Sequence, residues 1–207
     1  MLASLLLVLS ISIDSFVASI AYGSNKIKIP LKSALIIDIV SSLVLGLSLA
    51  FGSIIKDFIP ENASVIFSFI ILLGLGIYRL FEWIFKGYII KQSNSNKPLT
   101  FKLFDFKFIL EVYADETKAD FDNSKILSPK ESFYLSLALS LDSLAVGFGS
   151  SLIAINIIEV IVICLITGII AISLGVFIGR KFAQKVKFDL SWLSGVLLII
   201  LAFLRIL

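Results

Sequence analysis

Histidine is absent from all 207 residues, and cysteine occurs once, at Cys164. The first absence excludes imidazole acid/base chemistry, hydrolase triads built on histidine, and the nitrogen ligands that zinc and copper favour. Any metal held here must take oxygen ligands, which suits Mn²⁺, Mg²⁺ or Ca²⁺. A single cysteine allows no disulfide within the chain, and Cys164, set in an apolar run, reads as a small packing residue. Charge is scarce too, at 16% of residues against 58% hydrophobic and a mean hydropathy of +1.05. That balance belongs to a polytopic membrane protein rather than a soluble domain. The net charge of +3 says little about nucleic acid, because the Lys and Arg residues flank apolar runs, and no nucleic-acid partner is expected. There is no nucleotide-binding motif and no catalytic constellation, so neither ATP-driven pumping nor an enzyme reaction is expected.

Six apolar stretches read as transmembrane helices: residues 2–21, 33–55, 63–85, 132–153, 157–178 and a shorter one at 190–204. The first lacks a basic leader and carries Asp14, so it reads as a span and not as a cleaved signal. Between the third and fourth lies a polar linker with eight lysines from Lys86 to Lys130 and seven acids from Asp105 to Glu131. If the loops after spans one, three and five face the cytoplasm, sixteen of the eighteen Lys and Arg residues lie inside, leaving Lys56 and Arg205 outside. Both termini would then be external. The expected fold is all-α: a first three-helix repeat at 1–85, the polar cytoplasmic linker at 86–131, and a second three-helix repeat at 132–207. Three is odd, so the second repeat is inverted relative to the first. In secondary transporters this arrangement places a site near the bilayer midplane, where the repeats meet.

The candidate site rests on intramembrane carboxylates. The first span reads LVLSISIDSFVASIAYG around Asp14 and the fourth LALSLDSLAVGFG around Asp142, and a shift of 128 residues lays Ser12, Asp14 and Ser15 on Ser140, Asp142 and Ser143. A charged group in hydrocarbon costs from a few to more than ten kcal/mol, so it normally lines a cavity or finds a partner. Each acid sits on a mostly small-residue helix face, with Ser10, Ala18 and Ala21 beside Asp14, where another helix can approach closely. The bland alternative is two structural acids held by serine hydroxyls, protonated or not. Asp38, about five residues into the second span with Ser41 and Ser42 on its side, either points to cytoplasmic water near Lys32 or joins the same cavity. Glu159 falls at the outer mouth of the fifth span. Arg79 and Glu82, three apart near the inner end of the third, read as a local ion pair with snorkelling side chains.

The linker holds two further patterns. Residues 101–110 interleave Phe with Lys and Asp, as expected of a short element lying on the membrane surface or docked against the spans. Residues 120–131 can be read as a twelve-residue calcium loop, with Asp120, Asp122 and Ser124 at positions one, three and five and Glu131 at twelve, a possible site for Ca²⁺ or Mn²⁺. Position six, normally the glycine of the sharp turn, is Lys125. The same residues also read as a helix start, with Ser128 as N-cap, Pro129 first and Glu131 third, a capping box compatible with the loop reading.

These motifs carry a resemblance. The SIDSFVAS stretch at Asp14, LSLDSLAVGFG at Asp142, INII at Asn156 and LGVFIGR with Gly175, Gly179 and Arg180 resemble the bacterial manganese efflux pump family along nearly the whole chain, and the linker is most similar to its branch of sporulation membrane proteins. The resemblance implies a six-helix bacterial cell-membrane transporter exporting Mn²⁺ as cargo, with no resident cofactor and with Asp14 and Asp142 as the motif acids. In the second span the pump branch carries an acid that aligns near Ser41, whereas this chain has Asp38 one turn earlier. The expected transport site is therefore Asp14, Asp142, Asp38, Ser10 and Ser41. The alternatives are a non-transporting membrane protein of the spore or envelope that docks partners through its linker, or an exporter of another solute such as an amino acid.

Overall fold

A computed structural model of the chain describes residues 2–81, 106–152, 155–181 and 191–204. Among these residues it is helical: α1 (Leu2–Ser24), α2 (Leu31–Lys56), α3 (Glu61–Leu80), α4 (Phe106–Ala114), a 3-10 turn (Glu116–Ala119), α5 (Pro129–Ser151), α6 (Ile157–Lys181) and α7 (Ser191–Leu204). Five of them (α1, α2, α3, α5 and α6) are long and apolar enough to cross a membrane, whereas α7 is a shorter apolar helix.

The helices begin where local chemistry allows. Pro30 and Pro60 stand at the N-caps of α2 and α3, where a missing N–H costs nothing. The capping box expected at α5 is present: the Ser128 hydroxyl accepts the Glu131 N–H, and Glu131 accepts the Ser128 N–H at 2.7 Å. The third helix ends five residues before the expected 85, and Glu82 lies outside the described residues, as do the expected flexible run after Lys91 and the basic residues Lys185 and Lys187. The described end of the Phe-rich linker segment, residues 106–110, opens α4, and its Phe108 is buried against Tyr134 of α5, so that helix is docked on the bundle.

The bundle presents an apolar surface, and its interior mixes apolar side chains with many buried polar ones, unlike a soluble protein. On α2 the exposed residues Leu35, Ile39, Leu43, Leu47 and Phe51 follow each other every four positions, while Ser33, Asp38, Ser42, Ser48 and Gly52 face inward. Hydrocarbon solvates the first set. The second lets backbones approach and supplies interhelical hydrogen bonds.

Helix α1 packs on α6 and α2 on α5; α3 packs on α7, α1 also on α7, and α3 also on α5. Along the first pair Ser12 meets Thr167, Ser19 meets Gly175 and Gly23 meets Gly179, so both helices run the same way. The second pair is also parallel, with Ser41 at Ser140, Ser48 at Leu144 and Gly52 at Ser151. The α3–α7 pair is antiparallel, with Phe69 at Phe203 and Gly76 at Gly195. A Cβ at Gly179 would strike the backbone of Ile20 and Gly23, so only glycine allows that crossing.

Two apolar clusters fill the interior. One holds Leu7, Val8, Leu45, Leu49, Val146 and Val160; the other, on the linker side, holds Tyr22, Ile37, Leu135, Ala138 and Ile172 with Phe108 and Val112 of α4. On α1, α2, α5 and α6 alike, polar or small residues fall between these clusters in sequence: Asp14, then Asp38 with Ser41 and Ser42, then Asp142, then Thr167 with Gly168. The bundle thus has a polar layer between two apolar ones.

Candidate functional site

The polar layer is organised by a residue whose partners the sequence conceals. Arg79, in the last turn of α3 and only 6% exposed, pairs with Asp14 of α1 and with Asp142 of α5, the latter at 2.9 Å. The same guanidinium nitrogen serves both carboxylates, so two acids 128 residues apart share one cation in the core. Arg79 therefore does not snorkel as expected, while its expected pairing with Glu82 lies outside the described residues. A buried guanidinium is far more stable between two carboxylates than facing lipid.

A second contributor comes from the linker. The Tyr113 hydroxyl of α4 donates to Asp142 Oδ1 at 3.1 Å, and it is within 3.3 Å of the Tyr78 hydroxyl, one residue before Arg79. The docked α4 thus closes the acid pair on the linker side.

The other expected site residues are divided. Asp38 is 4% exposed, which removes the reading in which it points to water. Its Oδ1 lies against Gly168 of α6, where a Cβ would occupy its place, and its Oδ2 has no hydrogen-bond partner among the described residues. The nearby Ser42 hydroxyl is also buried without one. Ser41 accepts a hydrogen bond from Ser140 at 3.4 Å, tying α2 to the turn of α5 that carries Asp142. Ser10 is instead committed to α7, where its hydroxyl lies 3.2 Å from that of Ser194 and 3.3 Å from its carbonyl. Glu159 stands in the first turn of α6, whose start Asn156 caps by accepting the Glu159 N–H at 3.2 Å.

The linker acids form a separate cluster. Carboxylate oxygens of Asp120, Asp122 and Glu131 all lie within 4.8 Å of one another. Lys125, at the position expected to need glycine, adopts a φ of 61°, and its N–H donates to Asp120 Oδ2 at 3.3 Å. The Ser124 hydroxyl donates to the Ile126 carbonyl at 2.9 Å, and the Ser124 N–H donates to Asp122 Oδ1 at 2.8 Å. That backbone N–H, and then the Ser124 side chain, hold the Asp122 carboxyl below the usual carboxylate range.

Taken with their lipid-facing stripes, the five long apolar helices define a multi-pass membrane protein with a charged layer in its interior. The family model described as "Putative manganese efflux pump" matches residues 99–207, just over half of the chain, and the chain belongs to that family, one of transporters and not of enzymes. It is 28% identical to the "Probable sporulation protein YtaF" of Bacillus subtilis (strain 168), over 96% of both chains. It is 27% identical to the "Putative manganese efflux pump MntP" of Clostridium perfringens (strain 13 / Type A), over 92% of this chain and 86% of the other. With the protein of the same name from Methanosphaera stadtmanae it shares 28% identity over 98% and 97%. No solved structure matches.

Proposed function

We propose that this chain is a secondary transporter that exports Mn²⁺, with Asp14 and Asp142 as its paired ligands. The observation that carries the reading is the convergence of these two acids, from α1 and α5, on one buried guanidinium. Two carboxylates together balance a dehydrated divalent cation, and Asp38, Ser41, Ser42 and main-chain carbonyls in the same layer can complete an oxygen shell. Arg79 is the stand-in for the cargo. It offsets one of the two negative charges when no metal is bound, a proton meeting the other, and gives way when the metal enters, so that an empty carrier need not move bare charge through the membrane. Export then draws on an ion gradient or the membrane potential, and proton exchange at the same carboxylates is the simplest coupling.

Two inverted three-helix repeats give this site its geometry, with α7 as the sixth crossing. The packing pattern supports this. Exchanging α1, α2 and α3 for α5, α6 and α7 turns the α1–α6 pair into α5–α2 and the α1–α7 pair into α5–α3, both of which occur, and leaves α3–α7 as itself. The expected division at 1–85, 86–131 and 132–207 follows the same repeat. The lysine distribution supports placing the linker in the cytoplasm, with both termini outside.

The test is manganese tolerance in a sensitive host. Asp142→Asn keeps the shape and removes the charge, so protection should vanish while the membrane level of the protein is unchanged. Full protection by that variant would sink the proposal. The likeness to a sporulation protein favours one second reading, a spore-envelope protein that docks partners through the linker. On that reading deletion of residues 91–104 abolishes partner recovery, and the aspartate substitutions leave the phenotype intact.

A further inference from the structure

We propose that the segment from Asp120 to Glu131 is a binding site for a hard divalent cation, separate from the membrane acids, that pins the linker to the α1–α2 connection. Glu131 is fully buried and Asp120 is 4% exposed, yet Asp120 Oδ1 and Glu131 Oε1 have no hydrogen-bond partner among the described residues. Both residues belong to the cluster that Asp122 completes from the solvent side. Among the described residues no lysine or arginine bridges these carboxylates. Three carboxyl groups so close, two of them out of water, must be neutralised by protons or by a cation, because an unpaired buried charge is strongly unfavourable. The spacing suits the cation: oxygens on opposite sides of a calcium ion, each at about 2.4 Å, stand roughly 4.8 Å apart.

The backbone supports the same assignment. Glu131 gives Oε2 to the Ser128 N–H as helix cap and keeps Oε1 without a partner among the described residues, so the cap and a metal ligand can be one residue. The loop is also fastened to its surroundings. Lys28 donates to the Lys125 carbonyl at 2.8 Å, Leu127 donates to the Lys28 carbonyl at 2.9 Å, and the Ser33 hydroxyl of α2 donates to the Leu127 carbonyl at 2.6 Å. A cation in the cluster therefore rigidifies the junction of the α1–α2 connection, α4 and the start of α5. That junction carries Tyr113 to Asp142.

The experiment uses the full-length protein purified in detergent and measures amide hydrogen exchange with no divalent ion, with CaCl₂ and with MnCl₂. Residues 120–131 and 27–29 should slow at least tenfold with one or both ions. Asp122→Asn, a substitution at an exposed position, should remove that protection and lower the number of ions bound by one. Lys125→Gly, which relieves the left-handed residue and removes a positive charge, should tighten binding at least threefold. If neither ion protects this segment in folded protein, or Asp122→Asn leaves protection and stoichiometry unchanged, the site does not exist. The readout lies in the loop, so its failure leaves the transport proposal untouched, and failure of manganese tolerance leaves this one untouched.

Discussion

Replacing Arg79 by Gln is the most informative perturbation, because the substitution keeps a hydrogen-bonding side chain and deletes the positive charge between Asp14 and Asp142. The two carboxylate oxygens bound to one nitrogen stand within about 5 Å of each other. At an effective dielectric of about 20, their mutual repulsion is roughly 3 kcal/mol. Breaking a buried ion pair by removing one partner costs roughly 3–5 kcal/mol, and uptake of a proton by one acid returns part of it. The metal-free Arg79→Gln protein should therefore unfold at markedly lower temperature than the parent chain. Saturating Mn²⁺ should restore most of the loss, since the cargo supplies the missing charge. Affinity for Mn²⁺ should rise at least tenfold, equivalent to about 1.4 kcal/mol, because the metal no longer displaces a tethered competitor. Export should nevertheless fall, since the empty carrier has lost the fixed charge that offset one of its two acids. Thermal unfolding and ⁵⁴Mn equilibrium binding on detergent-purified protein test this together. A variant that binds Mn²⁺ more weakly than its parent, and whose stability loss is the same with and without the metal, would show that Arg79 is part of the scaffold and not a stand-in for the cargo.

Two further predictions concern glycines. Gly168→Ala puts a methyl group where Asp38 Oδ1 lies, and a carboxylate at the end of a side chain can move aside. The variant should therefore keep its thermal stability within about 1 kcal/mol while its Mn²⁺ affinity falls several-fold; an unchanged affinity would remove Asp38 from the ligand set. Gly179→Ala meets only backbone, of Ile20 and Gly23, and should cost about 1–3 kcal/mol by spreading α1 from α6. Gly74→Ala, with nothing within 4 Å of the added carbon, is the control and should melt with the parent protein.

The residues alone determined the helical class, five of the spans to within a few residues, the docking-prone aromatic segment that became α4, and the Ser128–Glu131 cap. Each is a local property. Hydropathy averaged over twenty residues reports whether a segment belongs in hydrocarbon, and a capping box is complete within four residues. The repeated SIDS and SLDS stretches also marked Asp14 and Asp142 as the acids to watch. Tertiary structure decided what those acids touch. Arg79 is 65 residues from Asp14 and 63 from Asp142, and its only visible counter-charge along the helix was Glu82. Tyr113 lies three residues beyond the Phe-rich segment at 101–110, in a linker that carried no sign of reaching the acids. Ser10 and Ser41 looked equivalent as small polar residues beside an acid, yet one was drawn to α7 and the other to α5. Periodicity reports which face of a helix turns inward, whereas the choice of opposing helix depends on the simultaneous packing of all the others, and no local signal encodes it.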